Sequence, residues 1–155
     1  MSDIEQAFRH NPYPGDDRLM FETSSEHLEC RQIEQAFRTR HWRDVPFSLL
    51  LYQREALCFF SPEGFRYYLP AYMLACIKHP GPGEADLIPE AIISMLTPST
   101  YERRACFDQQ IEGFTTAQLS VIRRFLEWLR VQPEMSDEDE PDCPNRALTE
   151  YWRDV

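Results

Sequence analysis

Residues 61–78, SPEGFRYYLPAYMLACIK, constrain the fold more than any other part of the chain. Phe65, Tyr68, Leu69, Tyr72, Met73, Cys76 and Ile77 recur at the spacing of one α-helical face, a stripe broad enough to meet a core. Ser61 suits the N-cap, Pro62 the first helical position and Glu63 the positive end of the helix dipole. Pro70 lacks an N–H and disfavours the α conformation at Leu69. The stripe keeps its register across Pro70, so the segment is predicted to be a kinked helix or two nearly collinear ones. It should end at the turn-forming run His79-Pro80-Gly81-Pro82-Gly83. Such an organiser specifies packing and no reaction.

A chain of 155 residues is the size of one domain. Its 43% hydrophobic and 13% aromatic content argues for a folded globule over a disordered chain. With 26 acidic against 16 basic residues, the net charge of −10 opposes binding to nucleic acid or anionic membranes. It suits solubility, or capture of a basic partner. No N-terminal apolar run resembles a signal peptide and no segment approaches a membrane span. Five cysteines without CxxC spacing fit reduced thiols in a cytoplasm, with Cys58 and Cys76 as core fillers.

In chain order, residues 3–9 read as a short helix with Ile4 and Phe8 on one face. The run Asn11-Pro12-Tyr13-Pro14-Gly15-Asp16-Asp17 is a rigid turn-forming loop. Its two carboxylates are either a recognition surface or local caps for the next turn. Residues 22–38 suggest a longer helix, followed by positive charge at Arg38, Arg40 and His41. Residues 56–60, ALCFF, fit a buried helical segment or one short extended segment. Residues 85–96 and 101–111 are further helices, and Thr115-x-x-Gln118 is a capping box opening the most amphipathic helix of the chain. Two short words recur: Ile-Glu-Gln-Ala-Phe-Arg at 4–9 and 33–38, and Trp-Arg-Asp-Val at 42–45 and 152–155. Neither forms a sustained period. They read as reuse of local packing, with a tail that competes for the internal copy's site as the alternative to coincidence.

The pattern Ile4-x-x-Ala7-Phe8, Pro12-Tyr13-Pro14-Gly15-Asp16-Asp17, Trp42, residues 61–73, and Phe114-Thr115-x-x-Gln118 with 125–129 resembles a family of small bacterial proteins defined only as a domain of unknown function. The likeness spans about 4–130. It implies a bacterial cytoplasmic domain, transfers no catalytic residue, and raises the interaction reading slightly.

Motifs for chemistry are scarce. There is no phosphate-binding Gly-rich loop, GxSxG, HExxH or paired CxxC. His27-x-x-Cys30 would set two metal ligands on one helix face, with His41 and Asp16 or Asp17 near in sequence. This supports a small metal-dependent hydrolase as the alternative function, though surface histidines are the commoner explanation. Arg66 and Tyr67 fall off the apolar stripe. With Trp42, Arg43, Asp16 and Asp17 they form a candidate partner-binding patch, unless Trp42 and Tyr67 only cover the core's edge. The expectation is therefore a mainly α, single-domain bundle of about seven helices over 1–131, an acidic flexible linker over 132–146 and a docking segment over 147–155. The expected function is non-enzymatic binding of a protein partner, without cofactor or metal, in the concrete form of toxin neutralisation or immunity. Self-association is a third reading.

Overall fold

The computed structural model describes residues 2–21, 27–80, 87–98, 101–135 and 143–155, with the side chains of 101–106 and 134 left aside. Among these residues eight α-helices form, against the expected seven or so: α1 (Asp3–Ala7), α2 (Leu28–Phe37), α3 (Phe47–Tyr52), α4 (Pro62–Lys78), α5 (Leu87–Leu96), α6 (Tyr101–Glu112), α7 (Thr116–Arg130) and α8 (Pro144–Glu150). Short 3-10 turns lie at Asp16–Arg18, Trp42–Asp44, Arg54–Cys58, Pro133–Met135 and Trp152–Asp154.

The helices begin where side-chain chemistry finishes their orphan N–H groups. At α4 the Ser61 hydroxyl accepts from Gly64 N–H at 3.0 Å, and Pro62 opens the first turn. At α7 Gln118 Oε1 accepts from Thr115 N–H at 2.9 Å while Thr115 Oγ1 accepts from Gln118 N–H at 3.3 Å. Ser2 and Glu5 make the same reciprocal pair at α1, at 2.9 and 3.3 Å, an S-x-x-E capping box.

Helix α4 is the centre of the molecule, but not as an amphipathic stripe. Tyr67, Ala71, Leu74 and Ala75, which lie off the stripe, are buried as well, whereas Ile77 on it is 42% exposed. A helix apolar on all sides must be surrounded. Here α1, α3, α5, α6 and the turns at Trp42–Asp44 and Arg54–Cys58 enclose it. Phe65, Tyr68, Leu69, Tyr72 and Met73 are fully buried, each contributing about 1.5–3 kcal/mol of hydrophobic stabilisation. The helix runs unbroken through Pro70. Helix α7 lies against α1 and α8, and α8 also reaches α5.

Other expectations need correction. The apolar run 56–60 is no strand: Arg54–Cys58 is a 3-10 turn, and only Phe60 pairs, in an isolated antiparallel bridge with Met20. Cys58 is exposed while Cys76 is buried, so only Cys76 fills core. Helix α2 starts at Leu28, and residues 22–26 of the expected 22–38 helix lie outside the described residues, as do 85 and 86 of the expected 85–96 helix. Of the expected acidic linker, 136–142 lie outside the description. Around them Pro133–Met135 is a 3-10 turn and Cys143 and Pro144 are buried at the start of α8. Ala147, Leu148 and Trp152 join the same core, and the Trp152 indole N–H donates to Leu96 C=O at 2.8 Å.

Residues 19–21 cross the first turn of α4, where Ser61 N–H donates to Leu19 C=O at 3.0 Å and Phe21 N–H donates to Phe59 C=O at 2.8 Å. The crossing is so close that a Cβ on Gly64 would stand 2.3 Å from Leu19 O, a backbone atom. Helix propensity alone would make Gly64→Ala stabilising by up to about 1 kcal/mol. The clash reverses the sign, and chemical denaturation should show a loss of about 1–3 kcal/mol.

Candidate functional site

The loop 11–17 is shaped by two prolines and by Gly15 at φ +93°, a left-handed conformation that glycine adopts without steric cost. It folds Tyr13 down onto Tyr67, with ring centroids 5.2 Å apart in an edge-to-face contact. The Tyr13 hydroxyl donates to the Asp16 carboxylate and accepts from Thr39 N–H at 3.1 Å. Arg38 closes the node by an ion pair to Asp16 at 3.2 Å. Thr39 sits at φ +60°, rare for a β-branched residue and a mark of local strain held by its surroundings.

The electrostatics of the node follow from these contacts. The hydrogen bond from Tyr13 first, and the Arg38 charge with it, hold the Asp16 carboxyl below the usual carboxylate range. Burial, then the bond to Asp16, pushes the Tyr13 phenol up to about 12. At neutral pH the node is therefore one carboxylate and one phenol. General acid–base work wants a group that titrates near the working pH, and neither does. The arrangement fastens the loop to the C-terminal end of α2.

The fold turns part of the candidate patch inward. Asp16 is turned into the node and Asp17 is exposed beside it. Trp42 and Tyr67 are 1% and 3% exposed and belong to the core. Burial raises the pKa of the Tyr67 phenol. Arg43 stays outside, its guanidinium 4.8 Å from the Trp42 ring centroid and donating to Glu5 C=O at 2.9 Å. Arg66 ties off α6 by donating to Gln109 and Gln110 carbonyls at 3.2 and 3.3 Å.

The metal candidates are likewise apart in role. His27 is the N-cap of α2, outside the helix, while Cys30 is buried within it, so the two do not share an exposed helix face. His41 caps the turn Trp42–Asp44, its Nδ1 accepting from Arg43 N–H at 3.1 Å. Among the described residues no three His, Cys, Asp or Glu side chains gather closely enough to hold a metal ion.

A second feature had no sequence signal. A groove of about 180 Å³ opens between the start of α1, the end of α4 and one face of α7, lined by Ile4, Ile77, Val121, Phe125 and Trp128 with Ser2 at its edge. Asp3 and Arg124 close its rim with an ion pair at 2.7 Å. Val131, one turn beyond Trp128, is 69% exposed. An amphipathic pattern assigns Ile77 and Trp128 to the core. Only the packing of α1 on α7 shows that they border an open apolar surface.

Fold and sites together define a small helical protein whose described polar clusters mostly serve as ties between helices. No helix among its described residues is long and apolar enough to cross a membrane. The chain belongs to the Family of unknown function (DUF6714), whose model matches residues 16–155. That span takes in the C-terminal segment and leaves out α1, in contrast to the 4–130 reach of the sequence resemblance. No curated protein and no solved structure matches the chain.

Asp16 gives a pH signature. Its folded-state pKa is depressed, so its contribution is complete above the unfolded value of about 3.9 and is lost as the pH falls through the folded value. Stability curves of the native chain and Asp16→Asn should differ at pH 7 and converge in acid. Parallel curves would show that the exposed pair with Arg38 adds nothing.

Proposed function

We propose that this chain is a non-enzymatic binding module that captures a basic protein partner, its contact centred on the apolar groove between α1 and α7. The observation that carries the reading is the groove itself: Ile77 and Trp128 border its apolar surface, with Val131 exposed one turn beyond Trp128, on a chain of net charge −10. Exposed apolar surface with a polar rim is the usual mark of a protein contact, and tryptophan is a preferred anchor in such contacts. The surplus of carboxylates would speed encounter with a cationic partner and make the on-rate fall with salt. Neutralisation of a toxin in a bacterial cytoplasm is the concrete form of this role. The Tyr13–Asp16–Arg38 node favours it indirectly, since its ionisation states do not suit proton transfer.

The test is affinity capture on the immobilised chain at low and high ionic strength, beside an Ile77→Lys, Val131→Lys variant. Both positions are exposed, so the variant should lose less than about 1 kcal/mol of stability. A basic protein held by the native chain, released by salt and absent from the variant is the expected result. Recovery of no partner at either ionic strength, or equal capture by the variant, would remove the proposal.

A further inference from the structure

Pro70 lies in the middle of α4 with no N–H to give. The carbonyl that a residue there would serve, by the i to i−4 rule, is that of Arg66. That carbonyl is not abandoned. The side-chain amide of Asn11 donates to it at 2.7 Å, from 55 residues away in sequence. We infer that Asn11 is a latch: it replaces the hydrogen bond that Pro70 removes, keeps α4 continuous past the proline, and so fixes the position of Ile77 in the α1–α7 groove.

The physical grounds are independent of any partner. A proline inside a helix normally bends it, because the ring crowds the carbonyl four residues back and leaves it unbonded. A carbonyl in this setting is costly to leave unmade. Pro70 itself is buried, so water has poor access from that side. The latch opens the loop 11–17, in the segment that follows α1. That segment is held separately by the Asp3–Arg124 ion pair, by Gln118 Nε2 donating to Ala7 C=O at 3.4 Å and by the Tyr13 hydroxyl at Thr39. Beyond the proline, residues 71–78 continue the same helix, and Ile77 among them lines the groove together with Ile4 of α1. One amide thus sets both the loop on one side of α4 and the groove wall at its end.

A double-mutant cycle tests this on the chain alone. Asn11→Ala should lower the folding equilibrium constant roughly tenfold. In the Pro70→Ala background, where residue 70 supplies its own N–H, the same change should cost less than about twofold. Hydrogen exchange at amides 71–74 should rise in Asn11→Ala beyond the rise elsewhere, and the Ile77 methyl resonance should shift in that variant and return in the double variant. If Asn11→Ala does not fold, Asn11→Asp, nearly the same shape but without the donor, replaces it in the cycle. Equal losses in both backgrounds, a uniform rise in exchange, or an unmoved Ile77 methyl would each overturn the latch. None of these readouts requires a binding partner, so they stand or fall separately from the binding proposal.

Discussion

The polar tips of α4 finish the carbonyl ends of the helices around it, and the architecture depends on that. Every helix leaves carbonyls without intrahelical partners at its C-terminus, and a core that packs several such ends around one rod must satisfy them or exclude them. Tyr68 reaches the end of α2, its hydroxyl lying 2.6 Å from Phe37 O and 2.9 Å from Arg40 O. Tyr72 donates to the carbonyl of Gln53, the C-cap of α3, at 2.6 Å. Arg66 serves α6, its guanidinium resting on Gly113 where a Cβ would stand 2.4 Å from Cζ. Each of these carbonyls would cost about 1–3 kcal/mol if buried without a donor. Leucine at positions 68 and 72 would fill comparable volume and fail at this second task. Burial accordingly raises the pKa of both tyrosines, and the phenols stay protonated donors.

Much of this was legible in the residues, and the misses have physical reasons. Start signals are local: Ser61-Pro62 and Thr115-x-x-Gln118 marked α4 and α7, because a cap is made by neighbours in sequence. The surroundings of α4 exceed what its stripe implies, because Tyr67 and Leu74 off the stripe are buried too. Ala71 and Ala75 are small and apolar, and they are buried on the side away from the stripe. The tie between Tyr13, Asp16, Arg38 and Thr39 joins two loops far apart in sequence. Nothing in the local pattern announces which arginine meets which carboxylate, and a left-handed threonine has no sequence signature at all.

The two recurring words show how far a short sequence specifies structure. In both copies of Ile-Glu-Gln-Ala-Phe-Arg the Ile and Phe lie four apart on a helical turn and are buried, at Ile4 and Phe8 and again at Ile33 and Phe37. Both copies of Trp-Arg-Asp form a 3-10 turn with the indole inside. The surroundings differ. Trp152 donates its N–H to Leu96, whereas the buried Trp42 Nε1 has no hydrogen-bond partner among the described residues. Each tryptophan occupies its own place in the core, so the repeated word encodes a local shape rather than a shared binding site.

The same division bears on function. Tyr68, Tyr72 and Arg66 are committed to helix ends, Asn11 to the Arg66 carbonyl one turn before Pro70, and Asp16 to a loop anchor. Residues so committed can leave only by breaking a helix end or a crossing that the core needs. Ile77 and Trp128 carry no such obligation. They stand where α1 meets α7, two elements joined at the rim by the Asp3–Arg124 pair and beneath it by apolar contact. Binding there would bury surface that folding leaves exposed, without undoing any tie that folding made. That is the physical condition for recognition by a preformed surface, and it is why the apolar groove is a better seat for a partner than the polar node at Tyr13.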